Sequence, residues 1–118
     1  MPKKILVIDD DQKVVEYLDI LFKDNGYETC LAYDGLQGLE LAKTAKPDLI
    51  TLDMDMPERD GTRFYAKLRK EDDLRDIPVI VISGVGSRPP ALKKDMVVIS
   101  KPFDRGRLLA IVKATIGE

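Results

Sequence analysis

The chain has no histidine and no tryptophan, and only one cysteine. Lack of histidine excludes Ser-His-Asp and Cys-His nucleophile pairs and most zinc sites, which leaves carboxylates, hydroxyls and lysines to carry any chemistry. Cys30 cannot close an internal disulfide. Its apolar setting, ETCLA, reads as a buried thiol in a reducing compartment, so a cytoplasmic location is expected. Excess charge of one sign is missing too: 19 Lys plus Arg stand against 21 Asp plus Glu, a net charge of −2. No polycationic surface is available for phosphate backbones, and direct nucleic-acid binding is not expected. Long hydrophobic runs are also absent. The apolar run ILVI after MPKK ends in DDD, too short for a signal peptide or a membrane span, so no membrane association is expected.

What is present is a regular alternation. The 118 residues suit one domain, 1–118, with no separate output domain. Apolar runs of strand length alternate with stretches of helical period along the whole chain. Ile5 to Ile8 reads as a buried strand. Val14, Val15, Leu18, Leu21 and Phe22 then recur at helical spacing until Asn25-Gly26 supplies a stop. Glu28 to Ala32 is a second strand. Leu36, Leu39, Ala42 and Lys43 space a second helix up to Lys46, and Pro47 ends it. Leu49 to Leu52 is a third strand, followed by the charged turn-rich loop DMDMPERDG and a helix around Phe64 and Leu68.

Ile77 to Ile82 reads as a fourth strand and Met96 to Ile99 as a fifth. Leu108, Leu109, Ile111, Val112 and Ile116 stripe a last helix. Between strands four and five, SGVGSRPPALKKD holds two glycines and a Pro-Pro pair where a crossover helix belongs. A fourth helix there is expected to be short or degenerate, about Pro90 to Lys94. Parallel strands need crossovers and both sheet faces must be covered, so the pattern predicts an α/β, doubly wound, open parallel sheet of five strands with helices on both faces.

In such sheets the ligand site lies beyond the carboxyl ends of the strands. Strand one ends in Asp9-Asp10-Asp11, strand three in Asp53, strand four in Ser83 and strand five in Ser100-Lys101-Pro102. Adjacent carboxylates repel and raise one another's pKa unless a cation offsets them. A hard divalent ion such as Mg²⁺ resolves that repulsion with oxygen ligands.

With LVIDDD, LDMDMPERDG, VIVISG and SKPF in place, the chain resembles the receiver domains of two-component response regulators over almost its full length. The resemblance implies a flavodoxin-like strand order of 2-1-3-4-5. It implies Asp53 as phosphoacceptor, Ser83 and Lys101 as phosphoryl-binding and switch residues, and a Mg²⁺ site. The metal would be held by Asp10 and Asp53, by Asp9 through water, and by the backbone carbonyl of Asp55. Pro57 and Gly61 would shape the loop, and Lys101-Pro102 would be a cis peptide. Expected partners are a histidine kinase or histidine phosphotransfer protein and a downstream protein target, with the chain a monomer or a weak phosphorylation-dependent dimer. The expectation is a signalling domain that catalyses only its own phosphoryl transfer and dephosphorylation, not an enzyme acting on other substrates.

Residue by residue, blander readings compete. DDD alone is a helix-start signal, and Asp11 is expected to cap the first helix. A lone Ser83 or Lys101 is ordinarily only solvated; convergence of four strand ends is what points to a phosphoryl site. Met54 and Met56 read as packing, since thioethers suit soft metals. Phe103 reads as core, and the charged run Arg69 to Asp76 as the solvated end of the third helix.

Two other functions remain open. Asp53-Met54-Asp55 also fits the paired aspartates of a haloacid-dehalogenase-type phosphatase, although the motif follows strand three rather than strand one. A receiver-like interaction module that does not use phosphate is suggested by departures from the family pattern. Val98 stands where many members carry a switch aromatic, and the interval from Ser83 to Lys101 is short by about a helical turn. Asp55, two after the acceptor, could repel a phosphoryl group or orient a water, with no sign readable from sequence.

Overall fold

Each apolar run becomes a strand of one parallel sheet. The computed structural model describes residues 2–57, 60–84 and 97–117. The described elements run β1 (Lys4–Ile8), α1 (Gln12–Asp24), β2 (Glu28–Ala32), α2 (Gly35–Ala45), β3 (Leu49–Asp53), α3 (Asp60–Lys70), β4 (Val79–Ser83), β5 (Val97–Ser100) and α4 (Arg105–Ile116). The five strands lie in the order β2-β1-β3-β4-β5, all parallel. The short fourth crossover helix expected near Pro90 to Lys94 lies outside the described residues.

The central strands are apolar on both sides because both sides are covered. Leu6 and Ile8 of β1 and Ile50 and Leu52 of β3 join α2 and α3 residues, including Ala42, Phe64 and Leu68, in one core. Ile5, Val7 and Leu49 face the opposite way, toward Val15, Leu18 and Phe22 of α1 and Leu108 and Val112 of α4. Period-two alternation thus separates two cores, and each fully buried Leu or Ile contributes roughly 1.5–3 kcal/mol.

Caps fix the helix entries. Asp11 accepts from Lys13 N–H at 2.9 Å, Asp34 from Gln37 N–H at 2.8 Å and Asp104 from Gly106 N–H at 2.8 Å. α1 stops at Asn25-Gly26, where Gly26 takes φ of 89°. β4 begins at Val79 rather than Ile77. Pro78 has no N–H to give a ladder, although its carbonyl accepts from Ile50 at 3.0 Å, and Ile77 N–H turns back to Leu74.

α2 departs from its leucine pattern. Leu36 is exposed, whereas Gly35, Gly38 and Ala42 form the buried side. A Cβ on Gly38 would stand 2.6 Å from Ile8 Cδ1, so the helix sits on β1 at a distance only small residues permit. Cys30 is half-buried rather than buried.

Thr51, in the middle of β3, is buried, and its Oγ1 has no hydrogen-bond partner among the described residues. An orphaned buried hydroxyl costs stability. Thr51→Val is therefore expected to stabilise the protein by about 1 kcal/mol in urea unfolding; a loss of that size would show that the hydroxyl is satisfied.

Candidate functional site

Strand register brings the polar ends together. Ile8 pairs with Leu52, Asp53 with Ile82 and Ser83 with Ser100, so β1, β3, β4 and β5 finish along one edge. Hydrogen bonds continue past the strands: Asp9 N–H donates to Ala32 O at 3.2 Å, Met54 N–H to Ile82 O at 3.1 Å and Lys101 N–H to Ser83 O at 2.7 Å.

Asp9 and Asp53 are each 2 % exposed, as deeply buried as the core. Lys101 lies between them. Its ammonium donates to Asp9 Oδ2 at 3.2 Å and stands 3.4 Å from Asp53 Oδ1. Backbone donors add to this: Asp11 N–H reaches the other Asp9 oxygen, Oδ1, and Asp55 N–H reaches the same Asp53 Oδ1 that faces Lys101, each at 2.9 Å. Asp10, next in chain to Asp9, is exposed. Asp9, Asp10 and Asp53 each offer a carboxylate oxygen, and these oxygens all lie within 4.8 Å of one another.

The electrostatics are those of a site short of positive charge. Although Asp10 is exposed, partial desolvation of its carboxyl, then the charge of Asp53, raises it above the ordinary carboxyl value. Burial also raises Asp53, with Asp9 adding to it, against the lowering effects of Asp55 N–H and Lys101. Burial works to lower Lys101, but Asp9 and Asp53 outweigh it and the ammonium is raised. One lysine thus serves three carboxylates. A hard divalent cation with oxygen ligands fits this donor set and would relieve the repulsion.

All the strand-end residues singled out from sequence reach this edge. Ser83 is buried, and its hydroxyl stands 3.5 Å from Gly84 O. Gly61 lies against the acceptor loop: a Cβ there would meet Asp53 O at 2.6 Å and Met54 Cα at 3.0 Å, so glycine is required by close approach. Pro57 is exposed and, with Asp10, Tyr33, Asp34, Met56 and Asp60, lines a cleft beside the carboxylates. The Lys101-Pro102 peptide is cis. Met54 and Met56 are buried in the core, Asp11 caps α1, and Phe103 is half-buried with its ring 5.9 Å from Tyr17.

The family model for the response regulator receiver domain matches residues 5–113. The chain belongs to that family. Among curated relatives of this receiver domain, Rrf1 of Nitratidesulfovibrio vulgaris is 31% identical over 112 residues, 95% of this chain and 81% of Rrf1. The polar-differentiation response regulator DivK of Brucella anthropi is 32% identical, and the match covers 100% of this chain and 99% of DivK. Among solved structures, the receiver domain of the Francisella response regulator 1452 superposes with a TM-score of 0.84 at 33% identity, covering 97% of this chain and 96% of that one. Vibrio cholerae chemotaxis protein CheY4 shares the fold, with a TM-score of 0.86 at 24% identity, covering 98% and 99%.

Other receiver-domain features read differently in the structure. Val98, where many members carry an aromatic, is half-buried and packs on the α2–α3 core. The run Arg69 to Asp76 is more than a solvated end: Arg69 lies over the Tyr65 ring at 4.7 Å, donates to the carbonyls of Arg75 and Ile77, and Leu74 is buried. A cavity of about 460 Å³ at the amino end of β4, lined by Tyr65, Arg69, Ile77, Pro78 and Val97 among others, includes none of the strand-tip residues. Sequence reasoning also missed two contacts. Lys101 pairs with Asp9 at 3.2 Å as well as standing 3.4 Å from Asp53, and the sequence offers no sign of the Asp9 contact. The Asp55 carboxylate was read for its charge, yet it accepts from the backbone N–H of Gly84. A backbone donor leaves no mark in composition, so nothing in the sequence could have signalled the second.

Proposed function

We propose that this receiver domain accepts a phosphoryl group on Asp53 from a phosphohistidine of a histidine kinase or phosphotransfer protein, with Mg²⁺ bound at the acidic cluster. The carrying observation is Lys101 placed between two buried carboxylates, 3.2 Å from Asp9 and 3.4 Å from Asp53, at an edge with Asp10 and Ser83. Asp53 is the nucleophile: one carboxylate oxygen forms the new O–P bond as the donor N–P bond breaks, and the imidazole nitrogen keeps the electron pair and takes up a proton. Asp9, Asp10, Asp53 and the Asp55 carbonyl would hold the cation, whose charge offsets that of the phosphoryl oxygens and carboxylates. Lys101 shifts from sharing Asp53 to a phosphoryl oxygen, and the Ser83 hydroxyl donates to another. Asp55 N–H keeps Asp53 oriented throughout.

The same reading makes residues 1–118 a single receiver domain of the cytoplasm that signals to a downstream protein and forms at most a weak dimer when phosphorylated. No helix among the described residues is long and apolar enough to cross a membrane. The paired-aspartate phosphatase gains nothing from the fold, because Asp53 ends β3, in the third position of the βα series.

Incubation with Mg²⁺ and a small phosphodonor, followed by mass measurement, tests the proposal. One acid-labile phosphoryl group per chain is expected, with no sustained release of phosphate from a phosphomonoester. Equal labelling of Asp53→Asn would refute the assignment, and many turnovers abolished by Asp55→Asn would favour the phosphatase.

A further inference from the structure

Asp55 joins two parts of the site. Its N–H donates to Asp53 Oδ1 at 2.9 Å, and its carboxylate Oδ2 accepts the N–H of Gly84, the residue that follows Ser83 beyond the end of β4. The second contact is close enough that a Cβ on Gly84 would stand 2.9 Å from Asp55 Oδ2. One residue therefore spans from the acceptor carboxylate to the tip of the neighbouring strand. The Gly84 amide lies within a single side chain's reach of Asp53, on the side where the Ser83 hydroxyl also ends its strand.

A tetrahedral anion carried by Asp53 brings further negative oxygens into this space. Those oxygens need donors, and a backbone N–H held by the strand is a donor that costs no reorganisation to use. Here that N–H is already engaged by an anion. Two negative groups cannot share one donor without repulsion at short range.

We infer that the Asp55 carboxylate is a built-in competitor, occupying the Gly84 N–H and having to leave before an anionic group on Asp53 can engage the tip of β4. The inference rests on the phosphoacceptor reading and goes past it, because it gives the effect of Asp55 a sign. The side chain opposes capture and retention of the phosphoryl group through a specific contact as well as through its charge.

Beryllofluoride with Mg²⁺, a non-reacting stand-in for the phosphoryl group, provides the probe, with affinity read by calorimetry. Asp55→Ala is expected to bind it about tenfold more tightly than wild type, the weight of one charge-assisted hydrogen bond. Gly84→Ala tests the contact from its other end. Gly84 does not take a positive φ, so alanine fits the backbone, and its methyl displaces the flexible Asp55 carboxylate while leaving both the charge and the N–H. A gain of several-fold is expected there, and the double variant should gain less than the two single gains combined. Asp55→Asn, which keeps an acceptor without charge, should fall between wild type and Asp55→Ala.

Unchanged or weaker binding in Asp55→Ala overturns the inference. So does an equal gain in Asp55→Ala and Asp55→Asn with none in Gly84→Ala, which assigns the effect to charge alone. A wild-type protein that binds no beryllofluoride and takes up no phosphoryl group overturns the phosphoacceptor reading itself, and the competitor role with it.

Discussion

Asp53→Asn should leave the protein unable to take up a phosphoryl group and yet more stable than wild type when no divalent cation is present. Both effects follow from one placement. The acceptor carboxylate sits 2 % exposed beside Asp9, with Lys101 its only side-chain cation among the described residues. Burial and Asp9 hold its pKa above 3.8 although Asp55 N–H and Lys101 pull the other way. A carboxyl that is harder to ionise in the folded state binds its proton more tightly there than in the unfolded chain. Its contribution to stability is therefore full below the unfolded value and is lost as pH rises through the raised folded value.

Asparagine keeps an oxygen for Asp55 N–H and lacks the charge. The gap between Asp53→Asn and wild type in EDTA should be near zero at the acid end, open as pH rises from about 4, and level off once pH passes the raised folded value. A difference on the order of 1 kcal/mol, roughly 3–6 °C in Tm, is expected at pH 7. Mg²⁺ should close the gap by stabilising wild type more than the variant. Thermal melts across pH, with and without the cation, check this; a wild type as stable as Asp53→Asn at pH 7 in EDTA would show that Lys101 alone balances the cluster.

How much of this was readable in advance depended on whether side chains or backbone carried the signal. The two-faced burial of β1 and β3 shows as unbroken apolar runs, and the carboxylates that follow them show as a change of residue type at a fixed place. Asp9, Asp10, Asp53 and Lys101 were therefore legible as strand-end residues, although which strand tips meet depended on a sheet order that only the family resemblance supplied. α2 was misread in detail because leucines advertise a helical period, whereas the face that touches β1 is Gly35, Gly38 and Ala42, chosen for close approach rather than hydrophobicity. Asp55 was legible as a charge and not as a ligand of Gly84, since the donor is a main-chain amide that any residue could supply. The same limit applies to Lys101, whose nearer partner, Asp9, lies 92 positions away in sequence.

Lys101→Met should be the most damaging single change to the folded apo protein at this edge. The stem is replaced by one of similar length, so packing is nearly kept, and the loss is that of an ammonium shared by two buried carboxylates. Removing one partner of a buried ion pair costs about 3–5 kcal/mol. Lys101 is 27% exposed, so water recovers part of that, and about 2 kcal/mol is expected at neutral pH. The sign with pH is the same as for Asp53, in a far more alkaline window. An ammonium whose folded pKa is raised above 10.5 contributes stability that is complete below that value and lost as pH climbs through the folded pKa, so the difference between wild type and Lys101→Met should persist at neutral pH and shrink in strong alkali. In acid it should also shrink, because Asp53, whose carboxyl is raised, takes up a proton and no longer needs the cation.

Phosphodonor labelling of Lys101→Met should slow by at least about 100-fold, as expected when a preorganised charge facing the transferring group is removed. Two outcomes separate a chemical role from a structural one. If Lys101→Arg restores stability but not the labelling rate, the ammonium is needed at a particular point, because a guanidinium replaces its charge without its compact geometry. If Lys101→Met melts and labels like wild type, the ion pair of Asp9, Lys101 and Asp53 contributes neither to the fold nor to the chemistry, and the carrying observation of the proposed function is lost.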